Sequence, residues 1–346
     1  MSWLDEARRA PRRQIERAAT RAALWAIPRL SRRGVLALAR YLAGAVRRLA
    51  RRELRVALAN LDFAYGGTLT PERRDAILRG AFENAARTIL DVVWFSRDNA
   101  ARVRQWVRLS PELVARLTQR RAQIVVTAHL GNWEALGQAL TAAGAPLLSV
   151  AAPLANPAVD RLFLRQRELT GQLIIPRTGA VVRMLRHLQA GGKVGMLLDQ
   201  NTIPAHGGIF VRFFGWPVPI STAAAVLALR ARAEICFCYC LPEDDGGYRG
   251  VLSAVLPPSE FGRERSPEAV QRLTQRISDL TEAAVRQHPE LWLWTYKRWR
   301  LVQPGWPLRC YPFYAHLPTA RDLGWERPGH PFAPTGARFN GRMDDP

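Results

Sequence analysis

The sequence predicts an α/β fold: a mixed central sheet flanked by helices, preceded by a helical, basic N-terminal region. Three observations carry this. From residue 124 onward, short β-rich runs alternate with helical ones at the interval of strand–helix units. Before that point apolar residues recur at helical spacing and arginines crowd the chain. With 48% hydrophobic and 23% charged residues, a chain of 346 residues is long and apolar enough to bury a sizeable core.

Three regions follow along the chain. Residues 1–70 are basic, amphipathic, helical and suited to associating with a membrane; 71–300 form the α/β domain; 301–346 are a Pro/Gly-rich C-terminal tail. The 50 Lys+Arg against 29 Asp+Glu give a net charge of +21, which suits anionic partners: nucleic acid, anionic lipid or an acidic carrier protein.

Residues 1–60 hold fifteen Arg against Asp5, Glu6, Glu16 and Glu53, a local charge of +11. A single helix over 34–58 would place Leu38, Leu42, Ala45, Leu49 and Val56 on one face and Arg40, Arg47 and Arg51 opposite. That pattern describes a helix lying in a membrane interface, and equally one packed on its own domain. No apolar run in this arginine-studded region exceeds about seven residues, so no signal peptide is expected. The uncharged stretch Ala135–Val159 is broken by Gly137, Gly144, Pro146, Pro153 and Pro157, so no segment is expected to span the bilayer.

Thr70-Pro71-Glu72 caps a helix, and helical spacing through Phe82, Ile89 and Trp94 makes 71–120 mostly helical. Strands are then expected at Ile124–Thr127, Leu147–Val150, Leu173–Ile175, Val194–Leu198, Ile209–Phe214 and Ile235–Cys240. Helices are expected near 132–143, 157–169, 179–190 and 221–232, and from Pro267 to about Gln287. Cys236, Cys238 and Cys240 alternate with Phe237 and Tyr239, which puts three thiols on one strand face as small buried hydrophobes. Four cysteines in a chain this long are too few for a disulfide scaffold, no CxxC or flanking His completes a metal ligand set, and the compartment reads as reducing. The tail, with eight Pro and five Gly from residue 301, reads as extended structure draped on the domain.

Ligands of an α/β sheet gather at the carboxyl ends of its strands. The segment Ile124-Val-Val-Thr-Ala-His-Leu-Gly-Asn-Trp-Glu134 runs an apolar strand straight into His129 and then into a helix start capped by Asn132. On one continuous helix His129 and Glu134 would lie about 140° apart. A strand-end histidine and a first-turn glutamate can instead converge across the turn, as a base and its orienter.

His-Leu-Gly-Asn-Trp-Glu resembles the first block of the lysophospholipid acyltransferase superfamily: His, four residues, then Asp or Glu. It looks particularly like the bacterial lipid A late acyltransferases, the lauroyl and myristoyl transferases. Further matches follow in family order: Ile175-Pro-Arg177, Met196-Leu-Leu-Asp-Gln200, Gly208-Ile-Phe-Val-Arg-Phe-Phe-Gly215 with Pro217, and Pro289-Glu-Leu-Trp-Leu-Trp-Thr-Tyr-Lys-Arg-Trp299. Together they cover roughly residues 30 to 300. Two departures stand out. Arg32, Arg33 and Arg40 interrupt a region that in many relatives is an uncharged membrane helix. Tyr296-Lys297-Arg298-Trp299 stands where relatives often have His-Arg-Arg-Trp, so no catalytic role is assigned there.

The resemblance implies transfer of a fatty acyl chain from a thioester, on acyl carrier protein or coenzyme A, to a lipid A precursor or related glycolipid. It implies a peripheral enzyme at the cytoplasmic face of the inner membrane, and no covalent acyl-enzyme. No Gly-x-Ser-x-Gly elbow or paired nucleophilic cysteine is present, so direct attack assisted by His129 is the simplest route. Arg177, in the family's arginine block, is the candidate donor to the oxyanion, and Asp199 at the same sheet edge is an orienter or an ion-pair partner. Substrate-binding candidates are Asn132 and the aromatics Phe210, Phe213 and Phe214, which line an acyl groove or fill the core; each buried methylene is worth about 0.8 kcal/mol. No metal or cofactor is expected. The acceptor alternatives are another lysolipid or a phosphoinositide mannoside. A basic nucleic-acid-binding protein is the alternative of another class, but no helix-turn-helix, zinc-finger or RNP pattern appears, so no nucleic-acid partner is expected.

Overall fold

The computed structural model describes residues 18–151 and 156–324; residues 1–17 of the basic region and 325–346 of the tail lie outside the described residues. The strands are β1 (Val107–Leu109), β2 (Gln123–Thr127), β3 (Leu147–Val150), β4 (Leu173–Ile175), β5 (Lys193–Leu197), β6 (Gly208–Phe213), β7 (Trp216–Ser221), β8 (Glu234–Pro242) and β9 (Tyr248–Leu256). Seven of them form the central sheet in the order β1-β9-β8-β2-β5-β3-β4. Every pairing in it is parallel except β8 with β9. A mixed sheet is what the alternation predicts, and β2 is buried along its whole length because neighbours cover both its edges and both faces.

Three strands were not anticipated. β1 is a three-residue strand inside a region that reads as helix, β7 carries Pro217 and Pro219, and β9 follows a Gly-Gly turn with Arg249 and Gly250 in its first turnings. The prolines are tolerated because β6 and β7 form a separate two-stranded antiparallel ribbon in place of a central strand. The expected strand at Ile209–Phe214 therefore exists, but outside the main sheet.

The first helices are α1 (18–26), α2 (Arg32–Leu49), α3 (Arg51–Tyr65) and α4 (Pro71–Trp94). The single helix expected over 34–58 breaks at Ala50, whose φ of −86° and ψ of 65° are not helical. The break also divides the apolar stripe. Val35, Ala39 and Ala43 are the apolar residues α2 buries, Leu38 and Leu42 are half-buried, and Leu49 is exposed.

Arg32 fastens this region to the sheet. Its guanidinium pairs with buried Asp91 of α4, with Nη2 to Oδ2 at 3.0 Å, and its Nε donates to the Gly246 carbonyl at 2.7 Å. The Tyr248 hydroxyl donates to the same carboxylate, and Arg87 donates to the carbonyls of Gly246 and Gly247. A helix from the N-terminal region, α4 and the β8–β9 turn thus share one buried charge network. Among the described residues no helix is long and apolar enough to cross a membrane.

The remaining helices that matter here are α5 (Asn99–Trp106), α6 (Pro111–Leu117), α7 (Trp133–Ala142), α8 (Pro157–Leu169), α9 (Ala180–Gln189) and α10 (Ala223–Ala231). α7 covers the sheet face that carries Val125, Leu147 and the three alternating cysteines, all of them buried. Burial in that apolar layer pushes all three thiols up in pKa, which keeps them protonated and unreactive. α9 and α10 cover the opposite face, against Ile124, Val126, Val194 and Met196. Residues 301–324 lie along the domain: Leu301, Val302 and Tyr311 are buried and the Tyr314 hydroxyl donates to Asn60.

Candidate active site

Strands β2 and β5 lie side by side, parallel, with Thr127 opposite Leu197. Two residues further along each strand bring His129 beside Asp199 at the carboxyl edge of the sheet. His129 Nδ1 lies 2.8 Å from Asp199 Oδ1, and the His129 backbone N–H donates to Oδ2 at 2.9 Å. The Trp292 indole N–H donates to the same Oδ2 at 2.8 Å. Burial alone would raise the Asp199 pKa; the charge and hydrogen bonds of His129 and the indole overcome it and hold the carboxyl down at about 2. Burial would lower His129, but Asp199 first and Glu134 second hold its pKa above the usual 6.5.

An ionised carboxylate only accepts, so Nδ1 carries the proton that faces Asp199 and Nε2 keeps its lone pair. The Gln200 side-chain amide lies 3.4 Å from Nε2. The His129 side chain keeps 17% of its surface open, against 3% for Asp199. The imidazole is open to solvent, and the carboxylate behind it is not.

Glu134 does not hold the imidazole. Its carboxylate forms a two-pronged pair with Arg167 of α8, at 2.6 and 3.1 Å, and the expected role of orienter falls to Asp199 by contact. The reason lies in the turn between them. Gly131 has φ +62°, its N–H donates to the Leu291 carbonyl at 3.0 Å, and the Asn132 N–H donates to the Cys240 carbonyl at 2.9 Å. A Cβ on Gly131 would stand 1.9 Å from that Cys240 oxygen. With the turn so fixed, Trp133 takes the place beside the imidazole, ring centroids 4.7 Å apart, and Glu134 points on toward α8.

Beside the pair opens a cavity of about 590 Å³ at the carboxyl edge of β2, β3 and β5. Leu136, Leu140, Met184, Met196 and Val226 give it an apolar wall, while Glu134, Arg167 and Arg177 reach it as charged groups. A family model described as bacterial lipid A biosynthesis acyltransferase matches residues 4–301. The chain belongs to that family. No curated protein matches it.

In this acyltransferase the other expected site residues fall into two groups. Arg177 is exposed at the cavity, where its guanidinium has no ion-pair partner among the described residues. Asn132, expected to bind substrate, is buried and spent on structure: its Oδ1 accepts the Ala135 N–H at 3.0 Å and its amide faces Asp91 at 3.4 Å. Phe213 and Phe214 are buried in an aromatic core with Trp292, Trp294 and Trp299, away from the cavity. Phe210 is half-buried on β6 and also does not line it. The aromatic block packs under Asp199; the cavity wall is mostly aliphatic, with Trp133 as its one Phe, Trp or Tyr among the described residues.

Sequence reasoning missed Arg167, Trp292 as a ligand of Asp199, and His206, which lines the cavity. Trp292 sits in a quoted block, so its position was visible and its partner was not. Among the described residues no cluster of three or more His, Cys, Asp or Glu is arranged to hold a metal ion.

Proposed function

We propose that this acyltransferase moves a fatty acyl chain from a thioester, on an acidic acyl carrier protein or coenzyme A, to a hydroxyl of a lipid A precursor. His129 is the general base and Asp199 its orienter. The observation that carries the reading is the pair itself: an imidazole with Nδ1 held at 2.8 Å by a buried carboxylate and with its partly exposed ring next to a cavity that its neighbours Thr127, Trp133 and Leu198 line. The acceptor O–H gives its proton to Nε2 as its oxygen bonds the thioester carbon, and the carbonyl electron pair moves onto oxygen beside Arg177. Collapse breaks the C–S bond, and the departing thiolate recovers the proton from the imidazolium. Arg167, held by Glu134, keeps a second cation at the cavity. The aliphatic wall suits an alkyl chain, at about 0.8 kcal/mol for each buried methylene.

The enzyme works, on this reading, as a peripheral protein on the cytoplasmic face of the inner membrane. Trp25, Tyr41 and Leu49 expose 64%, 74% and 81% of their surface on a strongly basic helical region. The test is mass spectrometry of lipids from cells with and without the gene, together with purified enzyme given carrier-bound and CoA-bound acyl donors. A lipid A species lighter by one acyl chain in the deleted strain is the expected result. Identical lipids in both strains, with no product from either donor in vitro, would overturn the reading.

A further inference from the structure

Between α2 and α4 lies a second recess, a cleft of about 390 Å³ remote from the sheet edge. Arg40, Arg47, Arg48 and Arg79 line it, with Glu83 as its one acid and the buried ring of Phe82 as its floor. Asp75 anchors two of the arginines, Arg47 at 2.9 Å and Arg79 at 3.4 Å. Arg40 and Arg48 are exposed and have no ion-pair partner among the described residues. Along the adjoining row of α2, Tyr41, Ala45 and Leu49 stand four residues apart, and Tyr41 and Leu49 are among the most exposed large apolar side chains of the chain. A cationic cleft therefore runs alongside an apolar strip on the same helix.

We infer that this cleft binds the phosphate of an anionic lipid headgroup, with the apolar strip lying in the lipid beside it. The inference rests on the peripheral membrane reading above and adds a defined site to it. Guanidinium groups match phosphate oxygens as planar two-pronged donors, and two guanidiniums already fixed by Asp75 are partly oriented before the ligand arrives. Glu83 leaves the lining strongly positive. The strip makes a lipid the occupant, since a free anion has no use for exposed Tyr41 and Leu49.

The test compares the full chain with two charge-matched variants, Arg40→Gln/Arg48→Gln in the cleft and Arg51→Gln/Arg52→Gln beyond it. Each is floated with vesicles of phosphatidylcholine alone or mixed with phosphatidylglycerol. Neither pair has an ion-pair partner among the described residues, and thermal melting checks that both variants fold. The cleft pair is expected to lose about tenfold more binding to phosphatidylglycerol vesicles than the outer pair. Equal losses would reduce the cleft to general charge and overturn the site while leaving membrane binding intact. A wild type that binds no vesicle would fail the peripheral reading itself. Inorganic phosphate, matched to chloride in ionic strength, is expected to release the wild type little better than chloride. Complete release by it would place a free anion in the cleft and overturn the headgroup assignment.

Discussion

His129 and Asp199 meet because Thr127 and Leu197, two residues before each, are partners in register on adjoining parallel strands. Their contact is built into the sheet and needs no loop to close. Asp199→Asn keeps the side-chain shape while offering Nδ1 an amide that can equally donate, which favours the wrong tautomer. Turnover is expected to fall by about 10³- to 10⁴-fold, and His129→Ala at least about 100-fold. The pH profile adds an independent check. On the proposed mechanism neutral imidazole is the base, so rate is expected to rise with pH through the His129 pKa, and loss of the Asp199 charge should move that limb to lower pH. A limb that stays in place in Asp199→Asn would separate Asp199 from the base.

Glu134→Gln should behave differently. It leaves the His129–Asp199 contact untouched and breaks a largely buried pair in which Arg167 keeps 22% side-chain exposure. Allowing for that exposure, the expected cost is about 2–3 kcal/mol of stability, read by urea denaturation. Turnover per folded molecule should fall far less than in Asp199→Asn, with a smaller downward move of the same pH limb, since Glu134 is the lesser charge acting on His129.

Asp199 also links stability to acid. Its pKa is depressed on folding from 3.8 to about 2, so its contribution is present above the unfolded value and is lost as pH falls through that interval. The size is about 2 kcal/mol. His129 acts in the opposite sense, stabilising at low pH and losing that contribution as pH rises through its raised pKa. Denaturation curves between those two pH values should show a slope in the wild type that Asp199→Asn lacks.

Arg32→Met should destabilise the whole domain by about 3 kcal/mol, because it leaves the Asp91 carboxylate in the interior with Arg87 at 3.9 Å, the Tyr248 hydroxyl and the Asn132 amide as its remaining partners among the described residues. A chain begun near Thr70 loses Arg32 together with the buried Val35, Ala39, Ala43, Val56 and Leu61. Calorimetry should show no cooperative transition for it, which is why membrane binding is tested on the full chain.

Arg177→Lys keeps the charge at the cavity and gives up the planar fork. A loss of about tenfold in kcat is expected, with KM little changed, if the guanidinium serves the oxyanion. Wild-type kcat in this variant would leave Arg177 as a surface cation.

Much of this architecture was legible in the sequence. Short β-rich runs between helical ones located β2, β3, β4, β5 and β8 to within a few residues, and Thr70 marked a helix start whose side-chain oxygen does accept a first-turn N–H group. What was lost depends on distance along the chain. The partner of His129 is 70 residues away and is chosen by strand register, so the nearer Glu134 looked better placed. Glu134 in turn finds Arg167, 33 residues on, where no local pattern announces an ion pair. Phe213 and Phe214 showed that they are buried and aromatic, but whether they face substrate or other side chains is settled by the Trp-rich block that packs on them. The break at Ala50 escaped because alanine carries no helix-stopping signal.

The turn at Gly131 draws its hydrogen bonds from Asn84, Cys240 and Leu291, the last of these 207 residues from Asn84. Trp292, which steadies Asp199, follows directly after. A ribosome therefore has to make most of this chain before the site is complete: the nascent polypeptide carries His129 and Asp199 well before the block from Pro289 emerges with the Leu291 carbonyl and the Trp292 indole that brace them. On the proposed mechanism the enzyme comes into being late and all at once, and a product terminated before Pro289 is expected to be inert rather than partly active.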